Sequence, residues 1–133
     1  MSSSYVSSEI RKRVALRAGQ RCEYCLLPQE ASYYSFHIDH IRPEKHGGKT
    51  IIDNLAFACP SCNSYKGSDI SAYIPNTDNI VRLFNPRIDE WPEHFEITDS
   101  TIIGKTNIGK ATIRLLHMND QHRKEERSIN GIK

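Results

Sequence analysis

The tetrapeptides CEYC (residues 22–25) and CPSC (residues 59–62) carry all four cysteines of the chain, as two C-x2-C pairs separated by 33 residues. Each pair can grip one ion across a short turn, and four thiolates complete a tetrahedral Zn2+ site. Buried or redox-active cysteines explain one such pair better than two. The N-terminal stretch MSSSYVSSEIRKRVALRAG lacks the apolar core of a secretion signal, so a cytoplasmic protein with metal-bound rather than disulfide-bonded cysteines is expected. No apolar run approaches the roughly 20 residues that cross a membrane.

Between the pairs lies FHIDHIRP (residues 36–43), which sets His37, Asp39 and His40 within four positions. Cys22, Cys25, His37 and His40 nearly match a C2H2 finger, but only two residues separate the histidines. That finger has about three to five residues there. It also leaves Cys59 and Cys62 without a role and puts the histidines on a β-prone segment, so it is rejected. YYSFHID (33–39) alternates and predicts a strand ending near Asp39 or His40. RPEKHGGKT predicts a loop, NLAFAC (54–59) a returning strand, and Pro60 the first turn of a helix that Gly67 interrupts. GGKT (47–50) is not a phosphate-binding P-loop, because Pro43 stands where that motif needs glycine.

Pinning the cysteines together draws the 36–40 strand towards the helix at Pro60 and brings Asp39 and His40 near Asn63. A carboxylate and an amide oxygen are hard ligands suited to Mg2+ or Mn2+, and an imidazole beside them can take a proton from water. A phosphodiesterase needs these parts: a cation to stabilise charge on phosphate and leaving oxygen, and a base for the nucleophile.

The series Asp39-His40-Ile41-x-Pro43, Gly47-Gly48, Asp53-Asn54-Leu55 and Cys59-x2-Cys62-Asn63-x2-Lys66-Gly67 resembles the HNH endonuclease motif, in its zinc-stapled, four-cysteine form. The resemblance implies an α+β fold with a ββα-metal (HNH/His-Me finger) core and a structural zinc on Cys22, Cys25, Cys59 and Cys62. It implies His40 as general base, Asp39 and Asn63 as ligands of a catalytic Mg2+ or Mn2+, and Asn54 as the asparagine that braces the loop and orients the base. Lys66 falls where a basic residue commonly approaches phosphate. His37, two positions before Asp39 on a strand, shares its face, and with His46 it is a candidate for phosphate contact. The implied activity is hydrolysis of DNA phosphodiester bonds. A zinc-binding nucleic-acid module without catalysis, or a nuclease acting on RNA, is the alternative.

Net charge is only +2, from 18 Lys and Arg against 16 Asp and Glu, so placement matters more than the total. Arg11, Lys12, Arg13, Arg17 and Arg21 fall in eleven residues without an acid, which makes Arg13 and Arg17 candidate backbone contacts to DNA. A helix is predicted from Ser8, as N-cap, to Ala18, with Ile10, Val14 and Leu16 or Ala18 inward and Gly19 as its stop. Residues 1–7 read as a disordered N-terminus, 8–72 as the nuclease core, and 73–133 as a C-terminal extension packed on it. Within the extension, 75–92 reads as an ordered connection wrapping the module, HFEITDSTIIGKT as a hairpin turning at TDS, and 107–118 as a helix before a polar end that is helical at first and then frayed.

Overall fold

The computed structural model describes residues 5–133. The expectation of disorder over 1–7 therefore falls largely outside the described residues. At its end Ser7, not Ser8, is the N-cap of α1 (Ser8–Arg17), its hydroxyl accepting from the Ile10 amide at 3.2 Å. Val14 and Ala15 form the buried face; of the two alternatives for the next inward position, Ala18 packs against the core, whereas Leu16 is 70% exposed. At 100° per residue Leu16 lies well round the helix from Val14, the residue that fixes the inner face.

The chain then folds into a tight turn around Cys22 and Cys25, closed by hydrogen bonds between Cys22 and Leu27 and from Leu26 to Cys22. Glu23 ties this turn to the next sheet twice: its amide donates to the Phe57 carbonyl, and its carboxylate accepts from the Phe57 amide, each at 2.8 Å. That sheet pairs β1 (His37–His40) antiparallel with β2 (Leu55–Ala58), setting Asp39 opposite Ala56. β1 is shorter than the expected 33–39 because its partner ends at Ala58, where Cys59 begins the turn into α2 (Pro60–Lys66). Cys59 Sγ accepts from the Cys62 amide as N-cap, Pro60 opens the helix, and Gly67 ends it. Strand, turn, strand and helix thus form the expected ββα unit.

Beyond Gly67 the chain does not resume a helix. Ser71–Tyr73 (β3) pairs with Ile80–Arg82 (β4) in a hairpin that the sequence reading missed and that straddles the expected boundary at residue 72. Its turn uses Asn76 at φ 66, a conformation asparagine tolerates. A short helix, α3 (Trp91–His94), leads into β5 (Phe95–Thr98) and β6 (Thr101–Gly104), paired around Asp99 and Ser100 as expected. α4 (Asn107–Leu115) stops before Met118 because His117 takes φ 50, and α5 (Gln121–Ile129) organises the polar end as a helix. Val14, Phe36, Leu55, Phe84, Phe95 and Met118 belong to one buried cluster with the four cysteines. The extension therefore shares the core of the ββα unit. No helix among the described residues is long and apolar enough to cross a membrane.

The turn joining β1 to β2 is held by Asn54. Its Oδ1 accepts from the Arg42 amide, and its Nδ2 donates to the carbonyls of Arg42 and Lys49, at 2.8–2.9 Å. Gly47 sits at φ 84, and a Cβ on Gly48 would lie 1.6 Å from the Arg42 carbonyl oxygen. Gly48→Ala should accordingly displace the turn and cost about 2–3 kcal/mol, as overpacking against backbone does. Urea unfolding of the zinc-loaded protein measures this.

Candidate active site and metal centre

The four cysteine sulfurs all lie within 4.8 Å of one another, and every one of these residues is buried. Cys25 Sγ and Cys59 Sγ are 3.7 Å apart, matching the edge of about 3.8 Å that four Zn–S bonds of about 2.3 Å give a tetrahedron. All four cysteines are free of disulfides. Amides of Tyr24 and Cys25 point at Cys22 Sγ, as Cys62 does at Cys59 Sγ, giving the sulfurs the outer hydrogen bonds that thiolate sites use. Burial pushes the Cys22 and Cys62 thiols up, whereas hydrogen bonds from Cys22, Cys59 and Cys62 hold Cys25 down. Such a buried set needs a cation to keep all four sulfurs ionised together.

One partner of this centre was not foreseen. Arg123, on α5, is 3% exposed and donates from Nη2 to Cys62 Sγ at 3.0 Å, with Cys59 Sγ at 3.6 Å. Its Nη1 donates to the carbonyls of Leu116 and His117. The guanidinium thus offsets part of the negative charge of four thiolates and fastens the C-terminal helix to them. One turn later Arg127, also buried, donates to the Ser100 and Met118 carbonyls and to Asn119 Oδ1. The sequence showed only a polar helix here, and nothing in it marked these two arginines as buried.

Asp39, His40 and Asn63 line one open cleft of about 300 Å³ with Pro43, Glu44 and Ser68. Asp39 arrives from β1, and Asn63 from the first turn of α2, one residue past the last cysteine. His40 Nε2 and the Thr50 hydroxyl are 2.9 Å apart, so the end of the Asn54-braced turn holds the imidazole. Asn54 itself touches the turn rather than the ring. Asn63 is half-buried, and its side-chain amide makes no protein hydrogen bond among the described residues.

Asp39 is 4% exposed. Its Oδ2 accepts from the Tyr24 hydroxyl at 2.7 Å, and Lys66 Nζ stands 3.2–3.3 Å from both oxygens. Burial pushes the Asp39 carboxyl up, against the pull of Lys66 and Tyr24. Each carboxylate oxygen has two lone pairs, so these partners leave acceptor capacity towards the cleft. The donor set of Asp39 and Asn63 fits an octahedral cation that keeps several waters.

Lys66 is the main correction among the expected site residues. It is 2% exposed, and besides Asp39 its ammonium donates to the His40 and Ile41 carbonyls at 3.2 Å. Three acceptors draw it inward behind the site. Arg17 is likewise occupied, donating to the Ile52 and Leu55 carbonyls as a clip between α1 and β2. Arg13, His37 and His46 are exposed. His37 lies outside the lining of the cleft, and His46 lines the hollow beside it.

This arrangement defines a class. A ββα unit with four buried cysteines, and a histidine, carboxylate and amide on its cleft, has the make-up of HNH domains of the four-cysteine type. Residues 22–69 match the family described as HNH endonuclease. Among curated proteins, the Septu protein PtuB of Bacillus thuringiensis is 27% identical over 110 residues, an alignment covering 80% of this chain and 39% of that relative. The chain thus spans well under half the length of that relative. No solved structure gives a significant match.

Two outcomes follow from the buried cations. Arg123→Met should weaken metal retention by about 10- to 100-fold, the usual effect of losing an outer-shell partner, read by chelator competition. Lys66→Met should lower stability by about 3–5 kcal/mol, because it leaves a buried carboxylate unpaired. A surface phosphate contact would change stability by no more than about 0.5 kcal/mol. Thermal and urea unfolding separate the two.

Proposed function

We propose that this protein is a metal-dependent endonuclease that hydrolyses phosphodiester bonds of DNA. The observation that carries the reading is the convergence of His40, Asp39 and Asn63, from a strand and a helix, on one cleft of an HNH domain. The four cysteines hold a zinc ion that maintains the fold. Asp39 and Asn63 would hold Mg2+ or Mn2+, which would supply electrostatic stabilisation of negative charge on the phosphate and the leaving oxygen.

The chain's own groups then divide the work. In the tautomer whose Nε2–H donates to Thr50, His40 Nδ1 keeps a lone pair and takes the proton as water attacks phosphorus. The bond to the leaving oxygen breaks in line with that attack. Lys66 and Tyr24 fix the rotamer of Asp39 from behind, and burial keeps the Tyr24 phenol well above its usual range, so it stays a donor. Asn54 keeps the turn, and hence Thr50, in register with His40.

Incubation of purified protein with supercoiled plasmid tests this. Cutting is expected with Mg2+ or Mn2+ and not in EDTA-treated samples restored with Zn2+ alone. His40→Ala should lower the rate by about 10²- to 10⁴-fold, the contribution of a positioned base, with zinc content and unfolding midpoint unchanged. Wild-type rates in His40→Ala would remove the histidine from the chemistry. A protein that binds but never cuts duplex, single-stranded or RNA substrates would be the non-catalytic module.

A further inference from the structure

The basic residues of α1 and its exit largely serve the fold. Arg11 donates to the Phe36 carbonyl at 2.8 Å, Arg17 to Ile52 and Leu55, and Arg21 to Leu26 at 3.1 Å. The turn between β1 and β2 is different. Arg42, Lys45, His46 and Lys49 fall within residues 42–49, and all four are exposed. No salt bridge among the described residues uses any of them.

This turn has a fixed shape. Asn54 holds both its ends, at Arg42 and at Lys49, and within it the Gly48 amide donates to Pro43 and Arg42 Nε to the His46 carbonyl. It also lies beside the cleft: Pro43 and Glu44 line the cleft itself. Lys45 and His46 line an adjoining hollow of about 400 Å³, which shares Ser68 with the cleft and includes Asp69. Arg42 and His46 border a third, of about 420 Å³. Glu44 lines the cleft and the exposed Asp69 lines the hollow with Lys45 and His46, so the four cations of the turn outnumber the two carboxylates beside them.

Resting on the nuclease reading above, we propose that the 42–49 turn is the clamp for the DNA backbone, with Lys45, Lys49 and Arg42 binding phosphates that flank the scissile one. Exposed cations on a backbone already held in shape lose little further freedom when they bind, which favours this turn over a flexible tail. The clamp and the base share one mount, since Thr50 follows Lys49 and contacts His40. A strand gripped by the turn is therefore set in position relative to the imidazole.

The test measures binding of a 30-base-pair duplex by the zinc-loaded His40→Ala protein, without Mg2+, across a salt series. Each phosphate contact contributes about 0.9 to the slope of log K against log salt. Lys45→Gln with Lys49→Gln should reduce the slope by about 2 and weaken binding by at least about 10-fold at 0.1 M salt, equally for unrelated sequences. Lys12→Gln with Arg13→Gln, on the exposed face of α1, should leave the slope within about 0.5. An unchanged slope in the Lys45/Lys49 variant, at an unchanged unfolding midpoint, overturns the clamp, as does a loss confined to the Lys12/Arg13 variant. Plasmid cutting by the wild-type protein is scored separately. Cutting with an unchanged slope sinks the clamp alone, whereas a slope that falls by about 2 in a protein that never cuts sinks the nuclease reading alone.

Discussion

Four sulfurs within 4.8 Å of each other set the geometry of everything else in this molecule. Two come from a turn after the first helix, and two from the junction of β2 and α2. Holding them together fixes the angle at which α2 leaves the sheet. Asn63, one residue past the last cysteine, is thereby carried to the same cleft as Asp39 and His40. A chain of this size has a modest core, and a metal ion held by the four cysteines would add a cross-link at its middle.

The same centre explains why the C-terminal extension is part of the structure rather than an appendage. Arg123 touches two of the sulfurs and caps the carbonyls at the end of α4, and Arg127 fastens the β5–β6 turn to the same helix. A buried arginine is expensive to desolvate unless anions and carbonyls surround it. Here thiolates supply the charge and helix ends supply the carbonyls, so α5 docks only where both are present.

A second buried charge pair governs the cleft. Lys66 and Asp39 face each other at 3.2 Å with almost no exposure, and Tyr24 completes the shell. Tyr24 itself lies between Cys22 and Cys25, so the carboxylate is tied through one side chain to the metal centre. The cleft therefore has a rigid rear wall of Asp39, Lys66 and Tyr24. Its front is the Asn54-braced turn, with exposed cations and a hydroxyl on His40.

The local chemistry was legible in the sequence. Two C-x2-C pairs, Pro60 and Gly67 around α2, and the turn at TDS each act through neighbours in the chain, and each stands where it was expected. The cysteine spacing also led from residue types to the meeting of Asp39, His40 and Asn63, because a four-thiolate site leaves a short sheet little freedom. The β3–β4 hairpin was missed because three-residue strands carry too short an alternation to register. Leu16 and Ala18 stayed alternatives for the inner face because propensity does not say which helix face the rest of the chain will cover, and the fold chose Ala18. Lys66, Arg17, Arg123 and Arg127 were beyond a linear reading for one shared reason. A cation looks solvated until distant carbonyls, a carboxylate or thiolates surround it. Sequence alone thus determined the four-cysteine cluster, which is fixed by residue type and spacing, and pointed to His40, Asp39 and Asn63 as candidates for the chemistry. The tertiary structure alone decided which charges are buried and which face solvent, because burial depends on contacts made across the whole chain.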